Sequence, residues 1–296
     1  MTLAAQRETV EEVAKLKSDA KRRQQIQKFG FFVLVVTTTI AVVYPFYWMV
    51  MASFTPQGYS LSHAPLLLPD EFSLDAYITI FTERPLLKWM TNTIVVTVGA
   101  TLIVLPVAIL ASYSLNRFKF WGRTPFMFLV LLSQLLPASA LIVPMFLIFK
   151  DYQLLNTTLG IMIAYTTFML PMSIWVLWGY MQSIPLDFEE AALVDGCDAL
   201  QAFLRITLPL AAPGIAATAL FIFLEGWNHY LLAFVLAGDT NQWVISLGLY
   251  SFIGQYEIQI EQMMATSVVA AVPALVVFAI LQRYLRGGLS LGGLKG

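Results

Sequence analysis

Along the chain, apolar residues gather into long stretches separated by short polar ones. No Asp, Glu, Lys or Arg occurs in 29–69, 89–116, 124–149, 152–186, 206–224 or 262–282. A helix rises about 1.5 Å per residue, so roughly 20 mostly apolar residues cross the roughly 30 Å of a bilayer's hydrocarbon. Each interval is long enough, or nearly so once a helix ends among neighbouring polar residues. The pattern predicts spans at about 30–52, 88–113, 124–149, 158–180, 211–236 and 263–283. That is an all-α polytopic membrane protein with six transmembrane helices. Around the spans the chain divides into an N-terminal segment, 1–29, then the first span with an outer loop, 30–87. A five-helix core over 88–283 follows, with a glycine-rich tail, 284–296. Gly287, Gly288, Gly292, Gly293 and Gly296 predict that the tail is not helical.

Composition agrees. Of 296 residues, 58% are hydrophobic and 12% charged, with mean hydropathy +0.74. A soluble domain carries about 25% charged residues, and half that number cannot coat a water-facing surface. A net charge of −1 gives no reason to expect a nucleic-acid partner. Cys197, the one cysteine, excludes an intrachain disulfide and a thiolate metal site, so no metal is expected. Residues 1–28 are charged throughout and lack the apolar core of a signal peptide.

Fourteen of the seventeen Lys and Arg fall in alternate loops and the termini, leaving Arg84, Lys88 and Lys150 for the other side. The positive-inside rule then predicts that both termini are cytoplasmic. Pro45, Pro106, Pro137, Pro144, Pro171 and Pro273 lie inside the spans. Each removes a backbone donor, which suits bent helices around a cavity, although proline is also commoner in membrane helices generally.

One inner loop, about 181–210, breaks the charge rule with Asp187, Glu189, Glu190, Asp195 and Asp198 against a single base, Arg205. A helix lying on anionic lipid would be basic. The loop is therefore expected to touch something else, or else to be a solvated connector. Asp187 with Glu190, and Asp198 with Gln201, have the spacing of capping boxes. Gly196 between them predicts two short helices joined by a bend, with Ala191 and Ala192 as a flat face for close packing.

The run EEAALVDGCDALQAFLRITLPL, 189–210, resembles the loop of binding-protein-dependent ABC importer permeases. That pattern is met by Glu190, Ala191, Ala192, Gly196, Ile206, Leu208 and Pro209; Cys197 stands where relatives often carry alanine. ASYSLNRFKFWGR (111–123), WNHYLLAFVL (227–236) and GLSLGGLKG (288–296) are similar to the sugar-importing, MalG-like branch, whereas 1–87 match loosely. The resemblance implies a type I importer permease in a bacterial inner membrane. Its partners would be two ATPase subunits, a second permease that the branch favours as a different chain, and an external solute-binding protein. The seven motif residues would couple the chain to the ATPases, which would hold ATP and Mg. No Gly-x-x-x-x-Gly-Lys-Ser/Thr loop occurs here, so this chain is expected to bind no cofactor and to be a transport subunit, not an enzyme.

Within the spans, Glu225 is the formally charged side chain well away from the ends, where a charge costs roughly 2.5–3.5 kcal/mol and must face the bundle interior or water. Asn228 and His229 follow at i+3 and i+4, which predicts one face, and Trp227 lies nearby. Together they supply the hydrogen-bonding groups and aromatic surface that a sugar needs, with Ser133 and Gln134 as weaker candidates for the same pathway. The competing reading is that Glu225 pairs with His229 or a neighbouring subunit and stabilises assembly. His63 is expected to face water. The outer loop 237–262, with Asp239, Glu257 and Glu261 and no base, is either a candidate surface for the solute-binding protein or a solvated loop. An alternative is a proton-coupled secondary transporter relaying through Glu225 and His229, though no internal repeat accompanies it. A membrane-embedded enzyme lacks any His/Asp/Glu cluster, since His63 and His229 are far apart.

Overall fold

A computed structural model describes residues 3–59, 68–69, 71–254 and 258–292, with side chains described from 23 to 284 within those ranges. His63 and Glu257 lie outside the described residues. The described chain is helical: α1 (Leu3–Ala52), α2 (Asp75–Thr82), α3 (Leu86–Arg117), α4 (Arg123–Leu135), α5 (Ala138–Asp151) and α6 (Thr158–Met181) come first. Then follow α7 (Asp187–Val194), α8 (Ala199–Leu210), α9 (Ala212–Asn228), α10 (Leu231–Leu236), α11 (Ile245–Tyr250) and α12 (Ile260–Gly292).

Among the described residues, four stretches are unbroken helices long and apolar enough to cross a membrane: Arg23–Ala52, Leu86–Arg117, Thr158–Met181 and Ile260–Tyr284. Two bent pairs bring the number to six if each crosses once. The third sequence-predicted span is one of these, because α4 and α5 meet at 97°. Leu136 is extended (φ −74°, ψ 123°), the conformation forced on a residue before proline, and Pro137 then heads α5. The fifth predicted span stops at Asn228, where His229 turns extended before α10. Pro45, Pro106, Pro144, Pro171 and Pro273 stay inside continuous helices.

The glycine-rich tail, expected not to be helical, is helical as far as it is described. The charged N-terminal segment joins the first span in the 50-residue α1, and α12 runs through Gly287 and Gly288 to Gly292. A helix already propagating adds one hydrogen bond per residue, which offsets the glycine penalty of about 1 kcal/mol each.

The core lies where α3 packs along α6 and α9, with Val96, Ala100, Val104, Ile161, Ala164, Tyr165 and Ile222 buried between them. At the end far from the acidic loop, the segment after α10 folds back onto α3. Asn92 donates to the carbonyls of Asn241 (2.8 Å) and Trp243 (2.9 Å), and Trp89 Nε1 to that of Thr240 (3.1 Å). The same segment uses Asp239 to cap the turn Thr240–Gln242, and Glu261 is buried in the first turn of α12. Of these two acids Asp239 stays exposed, whereas Glu261 is withdrawn from the surface, its carboxylate at a helix N-terminus favoured by the dipole.

Candidate functional site: the acidic loop and a cavity between spans

The acidic loop folds into α7 and α8. Helix α7 begins at Asp187 with Leu186 at the cap and no side-chain capping bond, so the Asp187–Glu190 box of the sequence does not form. The turn supplies that cap from the backbone: the amides of Glu189 and Glu190 both donate to the Leu186 carbonyl (2.9 and 3.1 Å). The second box does form, with Asp198 Oδ1 accepting from the Gln201 amide (2.7 Å) and Gln201 Oε1 from that of Asp198 (3.3 Å). Between them Gly196 has φ +91°. Its amide donates to Leu193 (3.1 Å) and that of Cys197 to Ala192 (3.0 Å), a Schellman ending that needs the left-handed conformation glycine adopts freely.

Ala191 and Ala192 do not share a face: Ala191 is exposed and Ala192 buried, because successive helix residues point about 100° apart. The residues that do share the inward face are Glu189 and Ala192, three apart. Glu190, Gly196 and Pro209 are exposed, Ile206 and Leu208 half-buried. Outward lies an apolar surface, with Leu186, Phe188, Leu193, Val194, Leu200 and Leu204 all exposed and Val194 at 87%.

Glu189, not singled out in the sequence, is 8% exposed and is the polar centre of the loop. Its Oε1 accepts from Arg117 Nε at the end of α3 (2.8 Å) and from the Thr207 hydroxyl in α8, and its Oε2 from the Tyr113 hydroxyl (3.3 Å). Residues Phe203–Thr207 form a π-helical turn, and the Phe203 ring lies 4.5 Å from that of Tyr113. The available signal was the i, i+3 pairing of Glu189 with a small residue, together with the basic cluster Arg117, Lys119 and Arg123 just past the second predicted span.

Further into the bundle, a cavity of about 510 Å³ opens between α4, α6 and α9. Ser133 and Gln134 on α4, Phe168 and Met172 on α6, and Glu225 and His229 at the end of α9 line it. Four of the six pathway residues expected from sequence thus come together. The other two do not. Around an ideal helix, Asn228 and His229 lie about 300° and 400° from Glu225, roughly 100° apart from one another, so i+3 and i+4 part company. Asn228 and Trp227 face a second cleft of about 430 Å³ beside α11 and α12. Trp227 is 5% exposed, stacks on Phe223 (5.4 Å) and donates Nε1 to the Ala270 carbonyl (3.2 Å). It joins α9 to α12. The aromatic surface in the cavity comes from Phe168 on α6 and Phe221 on α9, which the sequence did not mark because their spans are apolar on all sides.

The geometry at His229 follows from the break in the helix. Its carbonyl, freed from helical pairing, accepts from the Tyr165 hydroxyl (2.5 Å) and from Ser246 Oγ (3.1 Å). The imidazole stands edge-on to Tyr165 (5.2 Å), and its Nδ1 is 3.8 Å from Glu225 Oε1, an ion-pair distance too long for a hydrogen bond. Glu225 keeps half of its side chain exposed, at 51%. Ser133 spends its hydroxyl on the Val130 carbonyl (2.7 Å). The cavity therefore offers one carboxylate, one imidazole, one amide and the rings of Phe168 and Phe221, with no Lys or Arg among its lining residues.

Residues 104–290 match the family described as "Binding-protein-dependent transport system inner membrane component". The diacetylchitobiose uptake system permease protein NgcG of Streptomyces coelicolor is 34% identical over 261 residues, 88% of this chain and 86% of that protein. DasC of the same organism, named for the same uptake, is 33% identical over 89% of this chain and 96% of its own length. The inner membrane ABC transporter permease protein YcjP of Escherichia coli K12 is 30% identical over 94% and 100%. Among solved structures, a chain of a bacterial ABC transporter involved in import of the acidic polysaccharide alginate superimposes with TM-score 0.74. That match is 24% identical and covers 89% of this chain and 98% of the other, a likeness of fold.

Proposed function

The chain belongs to the family of binding-protein-dependent transport system inner membrane components, and on that premise we propose that it carries a sugar or oligosaccharide through an ABC importer. Permeases of this family are not enzymes; ATP is hydrolysed on partner subunits. In our reading α7 and α8 hang on the cytoplasmic side, both termini share that side, and Glu190, Ala191 and Gly196 lie against an ATPase subunit. The observation that carries this is the outward face of the loop. Six large apolar residues are exposed on a segment too acidic to lie on anionic lipid, and such a patch marks a protein partner. Ala192, Ile206 and Leu208, buried or half-buried, then keep the loop's shape rather than touch the partner. Two ATPase subunits, a second permease of different sequence and an external solute-binding protein complete the assembly.

The cavity is proposed as this chain's share of the pathway. Hydrogen-bonding groups beside an aromatic ring suit a polyhydroxyl solute, and a carboxylate without a neighbouring cation favours a neutral sugar over an acidic one. Relatives named for diacetylchitobiose uptake support a neutral oligosaccharide. Family membership displaces the proton relay, and Glu225 and His229 serve the solute instead.

The test is to purify the chain from native membranes in mild detergent and reconstitute what accompanies it. An ATPase and a second permease, with hydrolysis stimulated by a sugar-loaded binding protein, support the proposal and name the solute. A chain that comes alone and moves solute on a proton gradient without ATP refutes it. Glu190→Lys is expected to uncouple hydrolysis from uptake; wild-type assembly and transport in that variant would remove Glu190 from the interface.

A further inference from the structure

The two ends of the acidic loop are joined covalently to α6 and α9, but α3 is not its neighbour in the chain. The polar contact of α7 and α8 with α3 is made through one cluster at the helix end. Arg117 and Glu189 form an ion pair at 2.8 Å, with side chains 6% and 10% exposed. Tyr113 donates to the same carboxylate, and its ring leans on Phe203. Thr207 donates to it from the far limb of the loop. One carboxylate therefore meets three elements: α7 that carries it, α8 through Thr207, and α3 through Arg117 and Tyr113. None of the motif residues carried by the family resemblance makes these contacts.

We infer that Glu189 and Arg117 are positioning residues, a rigid joint that makes α7 and α8 move as one body and passes that motion to α3. This rests on the reading that the loop meets the ATPase subunits. Without the Glu189–Thr207 bond the two short helices meet at the Gly196 bend, where a residue with no Cβ offers little resistance to hinging. A push on the outer face of α7 would then be absorbed by the bend. With both limbs held by one carboxylate, the push reaches Arg117. From there it enters α3, which packs along both α6 and α9, two of the helices that line the cavity. A buried ion pair is a poor choice for stability alone, since apolar residues of the same volume serve as well or better. The charge-assisted bond from Arg117 Nε to Glu189 Oε1 fixes a direction as well as a distance, which a joint requires and a greasy contact does not supply.

The test uses the whole transporter in proteoliposomes, with its ATPase, second permease and binding protein, and reads solute taken up per ATP hydrolysed. Glu189→Gln keeps the volume and an acceptor oxygen but removes the charge. Its uptake per ATP is expected to fall about fivefold or more, while basal hydrolysis per assembled complex stays within about twofold. Arg117→Lys keeps the charge but loses the planar guanidinium, and a fall of about two- to threefold is expected. A ratio within about twofold of wild type in Glu189→Gln, counted per assembled complex, overturns the joint whether or not less complex is recovered. Should Glu189→Gln fail to assemble, Tyr113→Phe removes one donor from the carboxylate without changing charge. It is expected to lower the ratio about twofold, and an unchanged ratio overturns the inference equally. Failure of the underlying reading looks different: the wild-type assembly itself would show no ATP-driven uptake.

Discussion

Replacing Glu189 by leucine leaves the guanidinium of Arg117, in a side chain 6% exposed, without its counter-charge. Breaking one side of a buried pair in this way costs about 3–5 kcal/mol, because the remaining ion has lost both its water and its partner. The fully buried Thr207 hydroxyl also loses its acceptor. A carbonyl one turn back is within reach of a helical threonine, so this adds only about 1 kcal/mol. Exchanging both members, Arg117→Met with Glu189→Leu, removes the stranded charge and leaves an apolar contact of similar volume. Its cost is then the threonine and tyrosine hydroxyls alone, about 1–2 kcal/mol. The hydroxyl losses are common to both variants and cancel, so the double variant is expected to be more stable than Glu189→Leu by about 3–5 kcal/mol, although it carries one more substitution. Thermal unfolding of the wild type, both single variants and the double variant in one detergent measures this cycle. A double variant that melts no higher than Glu189→Leu would falsify the reasoning, since the charge would then have been exposed to water or paired elsewhere.

Further expectations concern other parts of the molecule. A Cβ at Gly248 would overlap the fully buried indole of Trp89, so Gly248→Ala should cost about 2–4 kcal/mol through overpacking and the lost bond to Thr240, read as a lower melting temperature. Gly179, whose added Cβ meets nothing within 4 Å, is the control; Gly179→Ala should melt at or slightly above wild type. Asp198→Ala removes a side-chain cap and should destabilise by about 0.5–2 kcal/mol, with faster amide exchange in 199–202. Asp187→Ala, which removes no capping bond, should change stability by less than about 0.5 kcal/mol, and equal effects at the two sites would contradict the described caps. Trp227→Phe keeps the stacking on Phe223 and should leave uptake within about twofold, whereas Phe168→Ala in the cavity should lower it about tenfold; the reverse order would move the pathway to the second cleft.

What the sequence determined by itself was whatever depends on composition and short spacing. Runs without charge are bound to cross a membrane as helices, since lipid offers backbone groups no other partner. A glycine between two polar turns must bend the loop, and Asp198 with Gln201 caps the helix that follows because both partners lie within one turn. The seven motif positions identified the family for the same reason, being local in the chain. The tertiary structure decided everything that turns on direction. Leu136 and Pro137 divide a run that reads as one span into two helices at 97°. Ala191 and Ala192, adjacent in sequence, point to different surroundings, and Asn228 leaves the face of His229 for another cleft. Phe168, on a span apolar all round, became part of the cavity only when α4 and α9 were set beside it. Glu189 shows the difference most plainly. Its partners Tyr113 and Arg117 are 76 and 72 residues away, and a charge tolerates burial only where such distant groups converge on it. Periodicity reports which side of a helix is apolar, whereas the identity of what faces it is fixed by packing.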